Sequence, residues 1–213
     1  MKALSRRLSA FAAVAAMGLV TACGGPQPAA VPHSPSQTLS AQDHTDIAAA
    51  LAQTATNLGI TDPQQVDVVR VVPAADYFST QVACLHDQGF DGAALSAGGN
   101  GVEIELAGAS QLDAYNLATY PCRAKYPKDP AQDESRMTRE QKLIAYDYLT
   151  TRLVECLTEH GYTIRDIPTQ ETFLGSWDTG AWNPYAQLAS VATPDDVLLA
   201  CPQDTPPELI WGK

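Results

Sequence analysis

Positive charge is what this sequence has least of. Thirteen Lys and Arg stand against 24 Asp and Glu over 213 residues, a formal net charge of -11 at pH 7. That balance disfavours nucleic acid and anionic membrane surfaces as electrostatic partners, and it favours solubility. Several signatures of chemistry are missing too. There is no Cys-x-x-Cys, which excludes a zinc ribbon and a thioredoxin-type redox motif. The Gly-x-Ser-x-Gly and Ser-x-x-Lys patterns of serine hydrolases do not occur. Gly98-Gly99-Asn100-Gly101 precedes a strand-like stretch, so it is no phosphate loop, and Asp129, Asp133 and Glu134 lack the spacing and glycine of a calcium loop. No metal or other cofactor is expected.

Long apolar runs are absent as well. The longest extends from Leu8 to Val20, too short for a comfortable membrane span. It follows a basic start (Lys2, Arg6, Arg7) and is closed by Val20-Thr21-Ala22-Cys23, so it reads as a secretion signal. The Cys after small residues resembles the lipobox of bacterial lipoproteins. That resemblance implies removal of residues 1–22 and acylation of Cys23 at the new N-terminus. Two palmitate-type chains, at about 0.8 kcal/mol per buried methylene, would anchor the protein stably on the outer face of the cytoplasmic membrane. Without the three leader cations, 10 remain against 24 acids, a balance of -14. Residues 23–42 are Pro, Gly, Ala, Ser and Gln in the main and read as a flexible tether, with one globular domain over 43–213.

Removing Cys23 leaves Cys84, Cys122, Cys156 and Cys201, which outside the cytoplasm read as two disulfides with three connectivities open. A sequence echo chooses among them. Val154-Glu155-Cys156-Leu157-Thr158-Glu159-His160-Gly161-Tyr162 repeats the pattern of Val82-Ala83-Cys84-Leu85-His86-Asp87-Gln88-Gly89-Phe90. Both read as last turns of helices stopped by a left-handed Gly, with the following aromatic folded back as in a Schellman cap. Each leading helix is followed by a later helix that ends in Cys. Two diverged units, 73–127 and 138–202, would then each close their own loop, Cys84 with Cys122 and Cys156 with Cys201.

Periodicity supplies the other elements. Ile47, Leu51, Ala55 and Leu58 recur at helical spacing up to Gly59. Residues 66–72 are rich in Val and read as a strand, as do 102–106 and 163–167. A helix over 110–119 should turn Leu112 and Tyr115 inward and kink or end at Pro121. Thr138-Arg139-Glu140-Gln141 is a capping box that opens a helix running to His160. Short helices are expected after Thr169, at Asn183-Pro184 and at Thr193-Pro194-Asp195-Asp196. The whole is an α+β domain. The Cys-Leu-x-x-x-Gly-aromatic motif with a later helical Cys resembles a pattern in uncharacterised exported lipoproteins of high-GC Gram-positive bacteria. The resemblance implies an envelope lipoprotein and transfers no catalytic residue.

Functional candidates are few. His33 lies in the tether, His44 opens the first helix, and His86 and His160 suit surface or capping roles. Glu103 and Glu105 would share the solvent face of a strand. Trp177, Trp182 and Tyr185 fall in a loop-like run rich in Gly and turn residues, where they either seal the core or form a contact surface. The expectation is a lipid-anchored envelope protein, binding an unknown protein or small ligand without catalysis. The alternative is an envelope hydrolase of cell-wall polymer, using acids near Glu103 or Asp178. A two-lobed transporter component needs more chain than this.

Overall fold

The computed structural model describes residues 39–189, 191 and 193–212; the leader, Cys23 and most of the tether lie outside the described residues. The folded part opens at α1, Ala41–Asn57, where Ser40 and Asp43 form a reciprocal capping box. The stripe of Ile47, Leu51, Ala55 and Leu58 faces inward, and Gly59, at φ +70°, ends the helix. A short 3-10 turn, Ala74–Asp76, then feeds α2, Tyr77–Asp87. A hairpin of β1, Ala94–Leu95, and β2, Val102–Glu103, follows, antiparallel with Ala94 opposite Glu103 and Leu95 opposite Val102. The chain continues through α3, Ala109–Lys125, and α4, Arg139–Asp147. A π turn, Tyr148–Arg152, joins α4 to α5, Leu153–Glu159. The remainder consists of α6, Gln170–Gly175; α7, Trp177–Gly180; a 3-10 turn, Pro184–Leu188; α8, Asp195–Ala200; and α9, Pro207–Trp211. The class is mixed α+β with helix dominant.

Two core clusters stand around the two disulfides. Cys84, Leu85, Ala93 and Cys122 form one, with Phe90, Val102 and Tyr115 packed on it. Tyr148, Leu149, Leu153, Leu157, Phe173, Leu188, Val197 and Cys201 form the other. Cys84 is bonded to Cys122 and Cys156 to Cys201, with Cα–Cα distances of 5.7 and 5.8 Å. The two leading helices end alike. Phe90 N–H donates to the Leu85 carbonyl at 2.9 Å and Gly89 N–H to His86 at 2.8 Å; Tyr162 N–H donates to Leu157 at 3.0 Å and Gly161 N–H to Thr158 at 2.9 Å. Gly89 and Gly161 sit at φ +87° and +89°. These are Schellman caps, which only a residue without Cβ adopts at no steric cost.

Four expectations are corrected. Residues 66–72 are extended but form no ladder beyond a parallel bridge from Val72 to Lys128. Val72 N–H donates to the Pro127 carbonyl and Asp129 N–H returns to Val72, both at 2.8 Å. Pro127 has no N–H to offer, so the pairing stops. Residues 163–167 are extended without a strand neighbour. Gln187 supplies one instead: its Oε1 accepts from Arg165 N–H at 3.0 Å, and its Nε2 donates to the Arg165 carbonyl at 2.7 Å.

The third correction is α3, which runs on through Pro121 to Lys125. The lost backbone bond is offset by burial of Thr119, Tyr120, Cys122 and Ala124 in the same turns and by the Cys84 bridge. Leu112, expected inside, is 46% exposed; Tyr115 packs edge-on against Phe90 at 5.6 Å between ring centroids. The fourth is the helix after Thr138, which is α-helical except for one wide turn. Leu153 N–H donates to the Tyr148 carbonyl, five residues back, and this lets adjacent Tyr148 and Leu149 both point inward.

Candidate functional site

A cleft lies between α1, the start of α2, the end of α3 and the connector over 127–136. Its volume is about 330 Å³. Its apolar wall comes from Ile47, Ala50 and Leu51 of α1 with Tyr77, Pro127 and Pro130. Amphipathic spacing on α1 and two rigid prolines in the connector hold these surfaces apart. Arg136 fastens the far edge: Nη1 lies 2.9 Å from Asp43 Oδ1, and Nη2 contacts Asp46 Oδ2.

Three cations and three acids line the cleft, and they are not equivalent. Asp46 is held by Arg136. Asp129 is buried, and its Oδ1 accepts from Ala131 N–H at 2.9 Å, capping the 3-10 turn Pro130–Gln132. Asp133 Oδ1 accepts from Ser135 N–H at 2.9 Å and from the Ser135 hydroxyl, and that hydroxyl is the main reason its carboxyl pKa is lowered. Each acid is thus committed to an internal bond. Arg123 and Lys128, by contrast, have no carboxylate within 4 Å among the described residues. Burial raises the pKa of the Tyr77 phenol, with the Arg123 charge opposing the shift, so the phenol enters the cleft as a neutral donor. Lys128 acts on Asp133 through its charge at longer range, which also lowers that carboxyl. An apolar wall with two cations outside any close ion pair can take an anion that carries a short hydrophobic part.

Trp177, Trp182 and Tyr185 each pack against the second core and are partly buried there. Trp177 packs edge-on against fully buried Phe173 at 5.6 Å and receives the Lys142 ammonium over its ring at 5.3 Å. Tyr185 O–H donates to the Cys201 carbonyl at 2.6 Å, and the ring borders an open apolar depression of about 390 Å³ with Leu188, Val191 and Leu198. Neither Trp lines it.

The hydrolase candidates are separate. Glu103 and Glu105 face solvent beside the hairpin and line neither cavity. Asp178 has an 89% exposed side chain, 3.9 Å from Lys142 Nζ. His86 Nε2 donates to the Ala93 carbonyl at 2.7 Å, tying α2 to the hairpin. His160 Nδ1 lies 2.9 Å from the Cys156 carbonyl and 3.6 Å from Cys201 Sγ. The donor atoms of Cys156, His160 and Cys201 lie within 4.8 Å of one another, but both sulfurs are committed to the disulfide.

Sequence reasoning missed the cleft, yet a signal existed. Of the ten cations beyond Arg7, six (Arg123, Lys125, Lys128, Arg136, Arg139 and Lys142) fall within twenty residues. Three of the six, Arg123, Lys128 and Arg136, line the cleft. Comparison with family models, curated proteins and solved structures returns no match to this chain.

Proposed function

We propose that this is a lipid-anchored binding protein of the cell envelope, built from two diverged disulfide-closed units, whose α1–connector cleft takes a small amphiphilic anion. The observation that carries the ligand assignment is the pair Arg123 and Lys128, cations outside any close ion pair on an apolar-walled cleft in a chain with 24 acids. Two disulfides support an oxidising compartment. The basic start, apolar run and Val-Thr-Ala-Cys ending support export and acylation at Cys23. The hydrolase alternative has less behind it, since Glu103 faces solvent outside both cavities and Asp178 is an exposed side chain beside Lys142.

Titration calorimetry of the protein with octanoate and hexyl phosphate, against octanol and octylamine, tests the ligand class. Saturable binding of the anions alone is expected, and loss of it in the Arg123→Ala, Lys128→Ala double variant. Equal binding of the neutral or cationic chains, or undiminished binding by the variant, overturns it. The anchor is tested separately by Cys23→Ser and cell fractionation; retention of the variant at the membrane with unchanged processing overturns acylation.

A further inference from the structure

The two disulfides are alike in chain position but differ in surroundings. Cys84 and Cys122 are both buried, with 5% and 0% exposure, and the residue four after Cys84 is Gln88. Cys201 is equally buried at 1%, but Cys156 is only half-buried, and the residue four after it is His160, on the surface. Of the four bridged cysteines Cys156 alone is not fully buried, so an attacking thiolate has its best approach to the second bridge through Cys156.

His160 completes the asymmetry. Its Nδ1 lies 2.9 Å from the Cys156 carbonyl, an obligate acceptor, so Nδ1 carries a proton. The same nitrogen lies 3.6 Å from Cys201 Sγ, so its proton is shared between the carbonyl and that sulfur. A donor placed there stabilises negative charge on that sulfur, which is what the departing thiolate of an exchange reaction acquires. The accessible sulfur and the assisted leaving group are the two ends of one bond.

We propose that Cys156–Cys201 is a thiol-exchange site, opened by a dithiol that attacks Cys156 Sγ. In the first step the reductant's thiolate forms a bond to Cys156 Sγ as the bond to Cys201 breaks. The electron pair leaves on Cys201 Sγ beside the His160 N–H. In the second step the reductant's other thiolate attacks its own sulfur of the mixed disulfide and releases Cys156 as a thiolate. The reductant leaves as a disulfide, and two electrons have entered the protein. The partner is thus a dithiol oxidoreductase or a small dithiol, recognised by this chemistry alone. Cys84–Cys122 stays closed and keeps its half of the fold intact.

The test is kinetic. The oxidised protein is exposed to glutathione, quenched by alkylation and mapped by mass spectrometry, then exposed to dithiothreitol in the same way. The expected first adduct is glutathione on Cys156. Opening of Cys156–Cys201 should outpace Cys84–Cys122 at least tenfold. His160→Gln puts into the second cap the residue that the first already carries, so the backbone accommodates it. That variant should slow opening of Cys156–Cys201 about tenfold and leave the first bridge unchanged. An adduct on Cys201, equal opening rates for both bridges, or an unaltered rate in His160→Gln overturns the proposal.

Discussion

The phenol of Tyr185 donates its proton to the backbone carbonyl of Cys201 at 2.6 Å, sixteen residues ahead in the chain. A second phenol, Tyr148, does the same for the next residue, Pro202, also at 2.6 Å. Two partly buried carbonyls at the exit of α8, where no helical partner remains, are thereby satisfied by side chains from elsewhere in the second core. Tyr185→Phe should cost about 1 kcal/mol of stability, read as a lower denaturation midpoint at constant slope. An unchanged midpoint would assign the hydroxyl to a role outside the fold.

The aromatic run separates in the same way. Phe173 is fully buried, and Phe173→Ala should cost about 3–5 kcal/mol through the cavity it leaves. Trp177 is only partly covered, with one edge on Phe173 and Lys142 over its face. Trp177→Ala should therefore lose roughly 2 kcal/mol, less than a buried ring. Thermal unfolding of the two variants checks the order; a Trp177 variant as stable as the parent would mark that ring as free for a ligand.

Gly89 and Gly161 give a matched pair of substitutions. At each, a Cβ would meet nothing within 4 Å, so the penalty for alanine is that of the left-handed backbone alone. Both Gly89→Ala and Gly161→Ala should cost about 1–2 kcal/mol, by similar amounts. Urea unfolding of the two proteins side by side reads this. A cost several times larger at one site would mean that the two caps are not equivalent in the folded chain.

Acid should act first at the start of α1. Hydrogen bonds from Ser40, side chain then backbone, and then from Arg136 hold the Asp43 carboxyl at about 2, below its ordinary 3.8. A depressed folded pKa contributes stability that is present above the unfolded value and is lost as pH falls through the folded one. The loss should fall between about pH 4 and pH 2 and be absent from Asp43→Asn, as followed by the pH dependence of the melting temperature. At the alkaline end burial pushes Tyr148 up to about 12, so its contribution is present below pH 10 and disappears as pH rises through 12.

What was legible in the chain was local. Gly89 and Gly161 announce their caps because only Gly takes that conformation freely. Thr138 and Gln141 announce theirs because the reciprocal bond needs a spacing of three. The cysteine pairing followed from the echo around Cys84 and Cys156. Residues 66–72 and 163–167 have the composition of strands without their ladder, because β-branched composition describes a segment, whereas a ladder requires a neighbour with free N–H groups. Pro127 removes one such neighbour, and Gln187 stands in for the other. The π turn at Tyr148 leaves no local signature, since it arises from packing two large side chains against one core. The cleft joins residues from 46 to 136 and could not be assembled without the fold; only its concentration of cations was written in one place.

The two bridges are also consecutive among the four bridged cysteines: Cys84 and Cys122 close across 38 residues before Cys156 is reached, and the second bridge closes across 45. If Cys23 is acylated as proposed, a chain delivered N-terminus first into an oxidising space presents Cys84 and Cys122 with each other as their earliest option, and then Cys156 and Cys201. An oxidase that joins cysteines in order of appearance arrives at the native connectivity with nothing to reshuffle. Maturation would then need an oxidant and no isomerase.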